Sequence, residues 1–126
     1  MNSGVAKAIR SKWPEAYEAY MKMGSEMKLG GLSWATIACQ DTGLQKTIFN
    51  AITQEFYGRD GKQYVSYEAV KDCMERVNFL AAQHNFIPHV AMPKIGAGLG
   101  GGDWEIIAKI IEEASAHFQP VVYELP

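Results

Sequence analysis

The run Ile95-Gly96-Ala97-Gly98-Leu99-Gly100-Gly101-Gly102 constrains this chain more than any other stretch. Before it comes a short apolar segment, His89 to Lys94 (HVAMPK), which reads as a buried strand. After it, Asp103 suits the cap of a helix whose buried side would carry Ile107, Ile110, Ile111, Ala114 and Phe118. Five glycines between a strand and a helix tolerate positive φ and let a ligand approach the main chain closely. The helix behind them points its unpaired N–H groups and the positive end of its dipole into the same space. Phosphate is the usual occupant of such a place, and a flexible loop without a ligand is the plain alternative.

Gly96, Gly98 and Gly101 also satisfy G-x-G-x-x-G literally. A nicotinamide site of that kind needs a βαβ unit, an acidic residue about 20 positions on and a second half-domain. Only 24 residues follow Gly102, enough for one helix and one strand, so that architecture is excluded. A Walker A loop is excluded too, because no Gly-Lys-Ser/Thr follows.

The remaining elements surround this loop. Met1 to about Met27 reads as helical: Val5, Ala6 and Ile9 form a stripe ending near Trp13, and Pro14 suits the first turn of a second helix with Tyr17, Tyr20 and Met21 at helical spacing. Gly30-Gly31 breaks the pattern. Leu32 to Gln40 and Lys46 to Thr53 read as two neighbouring strands around the turn Asp41-Thr42-Gly43. Gln54 to Val65 is a polar, aromatic loop. Ser66 caps a helix running to about His84, with Val70, Met74, Val77 and Ala81 on one face, and Pro120 to Leu125 closes the chain as a strand. This order predicts one α/β domain over residues 1–126, with helices on a mixed sheet. An α/β domain rarely opens on its ligand-facing helix, so the sheet reads as short by one or two N-terminal strands.

Composition narrows the function. A net charge of −2 argues against a protein that grips long nucleic acid, where a basic footprint dominates. It leaves room for a small anion held by backbone N–H groups. Cys39 and Cys73 are too few for a disulfide framework and suggest a reducing compartment. No apolar run approaches the roughly 18–20 residues that span a bilayer, and no secretory leader opens the chain, so a cytoplasmic protein without membrane contact is expected. The cysteines and His84, His89 and His117 show no metal-ligand spacing, so neither a metal nor a cofactor is expected.

Three segments resemble the macro domain family: residues 1–9 (MNSGVAKAI), 48–54 (IFNAITQ) and 92–105 (MPKIGAGLGGGDWE). The likeness covers nearly the whole chain and is strongest to the small branch containing ADP-ribose-1''-phosphate phosphatases and terminal ADP-ribose glycohydrolases. It implies a three-layer α/β/α fold and a cleft for ADP-ribose or ADP-ribose 1''-phosphate. By that likeness Ile95, Gly96, Ala97, Gly98, Leu99, Gly100, Gly101 and Gly102 wrap the diphosphate and distal ribose. The turn Asn2-Ser3-Gly4-Val5-Ala6 covers the opposite side, and Phe56 and Tyr57 lie near the cleft, where an aromatic can stack. A simple helix cap at Asn2 or Ser3, and core anchoring by the two aromatics, are the competing readings.

The chain also departs from the family. Its members begin with a strand carrying a Gly-Asp pair and a second strand into the glycine turn, whereas this chain starts inside that turn; a trimmed start is the expectation, with an unusually small variant lacking those strands as the alternative. The glycohydrolase branch uses a lysine where Gln54 and Glu55 stand, and an aspartate where Gly100 stands. These serve as nucleophile and acid/base partners in that chemistry. The expected activity is therefore hydrolysis of ADP-ribose 1''-phosphate to ADP-ribose and phosphate, with Asp103 as the acidic group and Asn2 on a ribose hydroxyl. Plain capping is the competing reading of Asp103. The alternatives are a non-catalytic reader or sponge of free or macromolecule-linked ADP-ribose, and a de-ADP-ribosylating glycohydrolase. A monomer, or a dimer through an unpaired sheet edge, is the expected state.

Overall fold

The computed structural model describes residues 4–38, 45–54, 65–97 and 101–123, which gather into two compact units. The first comprises Met1–Met27 and Leu32–Ala51, the second Lys28–Gly31 and Ile52–Pro126.

In the first unit, α1 (Gly4–Lys12) runs into α2 (Pro14–Met21), and Pro14 occupies the first turn of α2, where its missing N–H costs nothing. After a 3-10 turn at Gly24–Glu26, strands β1 (Leu32–Ala38) and β2 (Gln45–Ala51) pair antiparallel in the register Leu32↔Ala51 to Ala38↔Gln45. Alternation puts Ile37 and Ile48 on one face of this ribbon, where they share a core with Ala16, flanked by Ile9 and Trp13. Asn50 Nδ2 donates to Ala16 O at 3.2 Å and ties β2 to α2. The other face carries the Trp34–Phe49 pair, with ring centroids 6.5 Å apart, and the Thr36–Thr47 hydroxyl pair. The stripe expected on α2 is corrected here. Met21 is 55% exposed, and it is Ala16, at 0%, that the helix buries, because a small side chain lets α2 approach the sheet.

The second unit joins α3 (Tyr67–Ala81), β3 (His89–Pro93), α4 (Trp104–Ala114) and β4 (Gln119–Tyr123). Strands β3 and β4 pair in parallel from His89↔Gln119 to Pro93↔Tyr123, which requires a crossover, and α4 supplies it. Val70, Met74, Val77 and Ala81 lie buried along α3, as their spacing predicts, together with Ala69 and Cys73. On α4, which packs against α3, Ile107 and Ile111 are buried while Ile110 and Ala114 are half-buried. Phe118 is buried but does not belong to that helix: α4 ends at Ala114 with Ser115 as its cap, and Phe118 reaches the core from the connection to β4. The segment Lys28–Gly31 is sewn to this unit by Gly30 N to Ile52 O (2.9 Å) and Ile52 N to Gly31 O (2.9 Å). The predicted strand ends at Gln40 and Leu125 fall outside the described residues. Among those residues no helix is long and apolar enough to cross a membrane.

Candidate functional site

The glycine loop begins where β3 ends. Ile95 N donates to Pro93 O at 2.8 Å and Ala97 N to Lys94 O at 3.3 Å, which folds the chain back on itself immediately after the strand. Gly96 adopts φ +77, a conformation that costs an L side chain about 1–2 kcal/mol. The loop is then closed by Gly102 N donating to Gly96 O at 2.8 Å.

Beneath this closure lie Val65 and Ile107, 3% and 0% exposed. A Cβ on Gly96 would stand 2.5 Å from Val65 Cγ2, and one on Gly102 would stand 2.6 Å from Val65 Cγ1 and 2.9 Å from Ile107 Cδ1. Two of the glycines that announce a ligand loop are thus demanded by core packing. The described amides of the loop divide into two groups. Those of Ile95, Ala97 and Gly102 are spent on the loop's own bonds, while those of Gly96 and Gly101 have no acceptor among the described residues. Gly98, Leu99 and Gly100 lie outside the described residues.

Asp103 caps α4 in extended backbone (φ −82, ψ 115), its Oδ1 accepting from Glu105 N at 2.9 Å. Its second carboxylate oxygen has no hydrogen-bond partner among the described residues. Its own amide donates 3.0 Å to the hydroxyl of Tyr67, the first residue of α3. Lys94, at the mouth of the loop, holds its Nζ 5.8 Å from the centre of the Trp104 ring in the first turn of α4. The α4 N-terminus, the Gly96 and Gly101 amides and Lys94 bring donors to this junction, and Asp103 and Glu105 set two carboxylates at the start of the helix.

Of the other sequence-predicted residues, Asn2, Ser3, Phe56 and Tyr57 lie outside the described residues. Gly4, Val5 and Ala6 form the opening turn of α1 in the first unit. Sequence reasoning missed Val65, Lys94 and Tyr67. Tyr67 follows a legible cap at Ser66, but nothing local in the sequence couples it to Asp103, 36 residues on.

A hollow of about 230 Å³ opens elsewhere, lined by Ala81, Ala82, His84, Asn85, Phe86, Ile87 and His117. It lies at the far end of α3, roughly 22 Å along a 15-residue helix from Ser66. It is a shallow surface feature, with Phe86 61% exposed. The loop–helix junction, with the capped start of α4 and Lys94, is the stronger candidate.

Comparisons with known proteins bear on the family and the fold. The profile of the Macro domain family matches residues 1–111, running across both units. A protein of Enterobacteria phage T4, described as an uncharacterized 17.5 kDa protein in the tk-vs intergenic region, is 30% identical over 98% of this chain and 78% of its own length. A DNA ADP-ribosyl glycohydrolase of Thermus aquaticus is 28% identical over 98% of this chain but only 34% of its own length. Among solved structures, a protein of unknown function from Bacteroides thetaiotaomicron superposes with a TM-score of 0.74 at 28% identity, covering 98% of this chain and 78% of that one. The macrodomain of Thermus aquaticus DarG gives 0.74 at 23% identity, with 98% and 80% covered, a likeness of fold. With its profile match, its phage relative and its mixed α/β fold, the chain belongs to the macro domain family.

Proposed function

We propose that this chain binds ADP-ribose through its diphosphate at the 96–102 loop and the α4 N-terminus, and hydrolyses ADP-ribose 1''-phosphate to ADP-ribose and phosphate. The observation that carries the reading is the junction itself: a loop closed by Gly102 N to Gly96 O, leading directly into a capped helix N-terminus with Lys94 beside it. Main-chain donors fixed in advance stabilise charge that develops on a reacting phosphate without reorganising. Asp103 adds a carboxylate with one oxygen committed to the helix and the other available to orient water. Water then attacks phosphorus and the bond from phosphorus to the ribose oxygen breaks.

A second reading has a specific observation behind it. The Thermus aquaticus relative is a DNA ADP-ribosyl glycohydrolase, which favours cleavage of ADP-ribose from a nucleic acid. Against it, Gln54, Glu55 and Gly100 stand where the resemblance places that chemistry's lysine and aspartate.

Calorimetry with ADP-ribose, AMP and NAD tests binding; selective heat with ADP-ribose is expected, and silence with all three removes the site. Phosphate release from ADP-ribose 1''-phosphate is then compared with ADP-ribose release from an ADP-ribosylated oligonucleotide. Release from the oligonucleotide alone replaces the phosphatase reading with the glycohydrolase one. Binding with neither release makes the protein a reader.

A further inference from the structure

The Tyr67 hydroxyl accepts from Asp103 N at 3.0 Å, so one lone pair of the phenolic oxygen is occupied by the amide of the α4 cap. A phenol carries one hydrogen besides its lone pairs, and an incoming donor turns that hydrogen away from itself. Among the described residues nothing accepts it. The backbone that carries the ring is also anchored. Tyr67 is the first residue of α3, directly after Ser66, whose hydroxyl accepts from Ala69 N at 3.1 Å and whose amide donates to Thr53 O at 2.7 Å. An O–H donor thus lies one hydrogen bond from the start of α4.

We propose that Tyr67 is a binding residue of the loop–helix site, donating its phenolic hydrogen to the bound phosphate while accepting from Asp103 N. This rests on the reading of that junction as the ADP-ribose diphosphate site. The two roles of the hydroxyl are chemically separable. As acceptor it satisfies Asp103 N and positions the cap; as donor it adds a neutral hydrogen bond to an anion, one that an ionised oxygen can no longer make.

The experiment is calorimetry of the full chain with ADP-ribose, using the parent, Tyr67→Phe, and a chain carrying 2,3,5-trifluorotyrosine at position 67. A hydrogen bond to a charged group is worth roughly 10- to 100-fold in affinity, and Tyr67→Phe is expected to lose that much. The fluorinated phenol ionises near neutral pH. Its phenolate still accepts from Asp103 N, so support of the cap survives, but the donor is gone and a negative charge meets the phosphate. Affinity in this protein is therefore expected to fall as pH rises through the fluorophenol's ionisation, while the parent shows no such fall. Bound ADP-ribose is expected to shift that ionisation to higher pH, read from phenolate absorbance. A fluorinated protein whose affinity and absorbance titration ignore each other overturns the donor role and leaves Tyr67 a support for Asp103. A parent that does not bind ADP-ribose overturns the site reading, and the proposal with it.

Discussion

Helices α3 and α4 begin alike. Ser66 caps α3 in extended backbone (φ −101, ψ 116) and accepts from Ala69 N; Asp103 caps α4 in nearly the same backbone (φ −82, ψ 115) and accepts from Glu105 N. What precedes each cap differs. Ser66 follows buried Val65, which bridges to Gln54, and its own amide is bonded to Thr53 O, so the start of α3 is covered by main chain. Asp103 follows Gly101 and Gly102, which carry no side chains to cover anything, and its amide is met by a tyrosine hydroxyl. Both helices have the dipole, and both have the cap. A helix N-terminus becomes a binding candidate through what leaves it uncovered. The two starts are also linked, because Val65, which closes the first, together with Ile107 keeps side chains off Gly96 and Gly102 beside the second.

The largest expected effect attacks that link. Gly96→Ala combines a positive φ with a Cβ 2.5 Å from Val65 Cγ2 and is expected to destabilise the protein by about 2–4 kcal/mol, measured by urea unfolding. Gly102→Ala has no positive φ to bear, only the clash, and should lose about 1–3 kcal/mol. Val65→Ala relieves the tightest of the contacts at Gly102 while Gly96 O and Ile107 Cδ1, each at 2.9 Å, remain, so Val65→Ala and Gly102→Ala together should cost less than the sum of the two alone. Strict additivity would show that Val65 does not impose the glycine, and the link between the two helix starts would break.

That link also marks the limit of what the sequence displays. The stripe Val70, Met74, Val77 and Ala81 was legible because a buried helical face repeats every 3.6 residues, and both caps were legible because Ser and Asp solve a local problem of unpaired N–H groups. Phe118 misled the same reasoning. It continues the spacing of Ile111 and Ala114, yet the helix has already closed at Ser115, and spacing alone does not reveal which element carries a buried side chain. Met21 misled it differently, since size suggested burial where the packing needed the small Ala16. At the candidate site, residue types were legible and causes were not. The glycines suggested a ligand, while Val65 lies 31 residues before Gly96, and Tyr67 lies 36 before Asp103. Contacts at that separation leave no local pattern.

The next effect falls on chemistry. Asparagine caps a helix as well as aspartate does, so Asp103→Asn should leave stability unchanged while lowering phosphate release from ADP-ribose 1''-phosphate by about 100-fold or more. Asp103→Ala should lose both the turnover and about 1 kcal/mol of stability. If Asp103→Asn turns over normally, the carboxylate is a cap and nothing else, and the two helix starts differ only in exposure.

Ser66→Ala is the mirror experiment. It should cost about 1 kcal/mol in urea unfolding and leave ADP-ribose affinity unchanged, because the bond from Ser66 N to Thr53 O still holds the backbone that presents Tyr67. A fall in affinity would mean that the Ser66 hydroxyl helps to aim the Tyr67 hydroxyl.

The smallest effect tests how closed the α3 side is. Cys73, on the buried face of that helix, donates its thiol to Gly31 O at 3.4 Å, and burial pushes its pKa from 9.0 up to about 11. The raised value fixes the sign. Unfolded chains begin to lose this proton near pH 9.0 while folded ones keep it, so the stability tied to the neutral thiol is whole below pH 9 and drains away as pH rises towards 11. In a Cys39→Ser background, the difference in urea midpoint between the Cys73 and Cys73→Ala proteins should therefore shrink between those two pH values. Other groups titrate there in both proteins and cancel in the difference. A constant difference would mean that water reaches the thiol, and that α3 is open along the same face that closes its start.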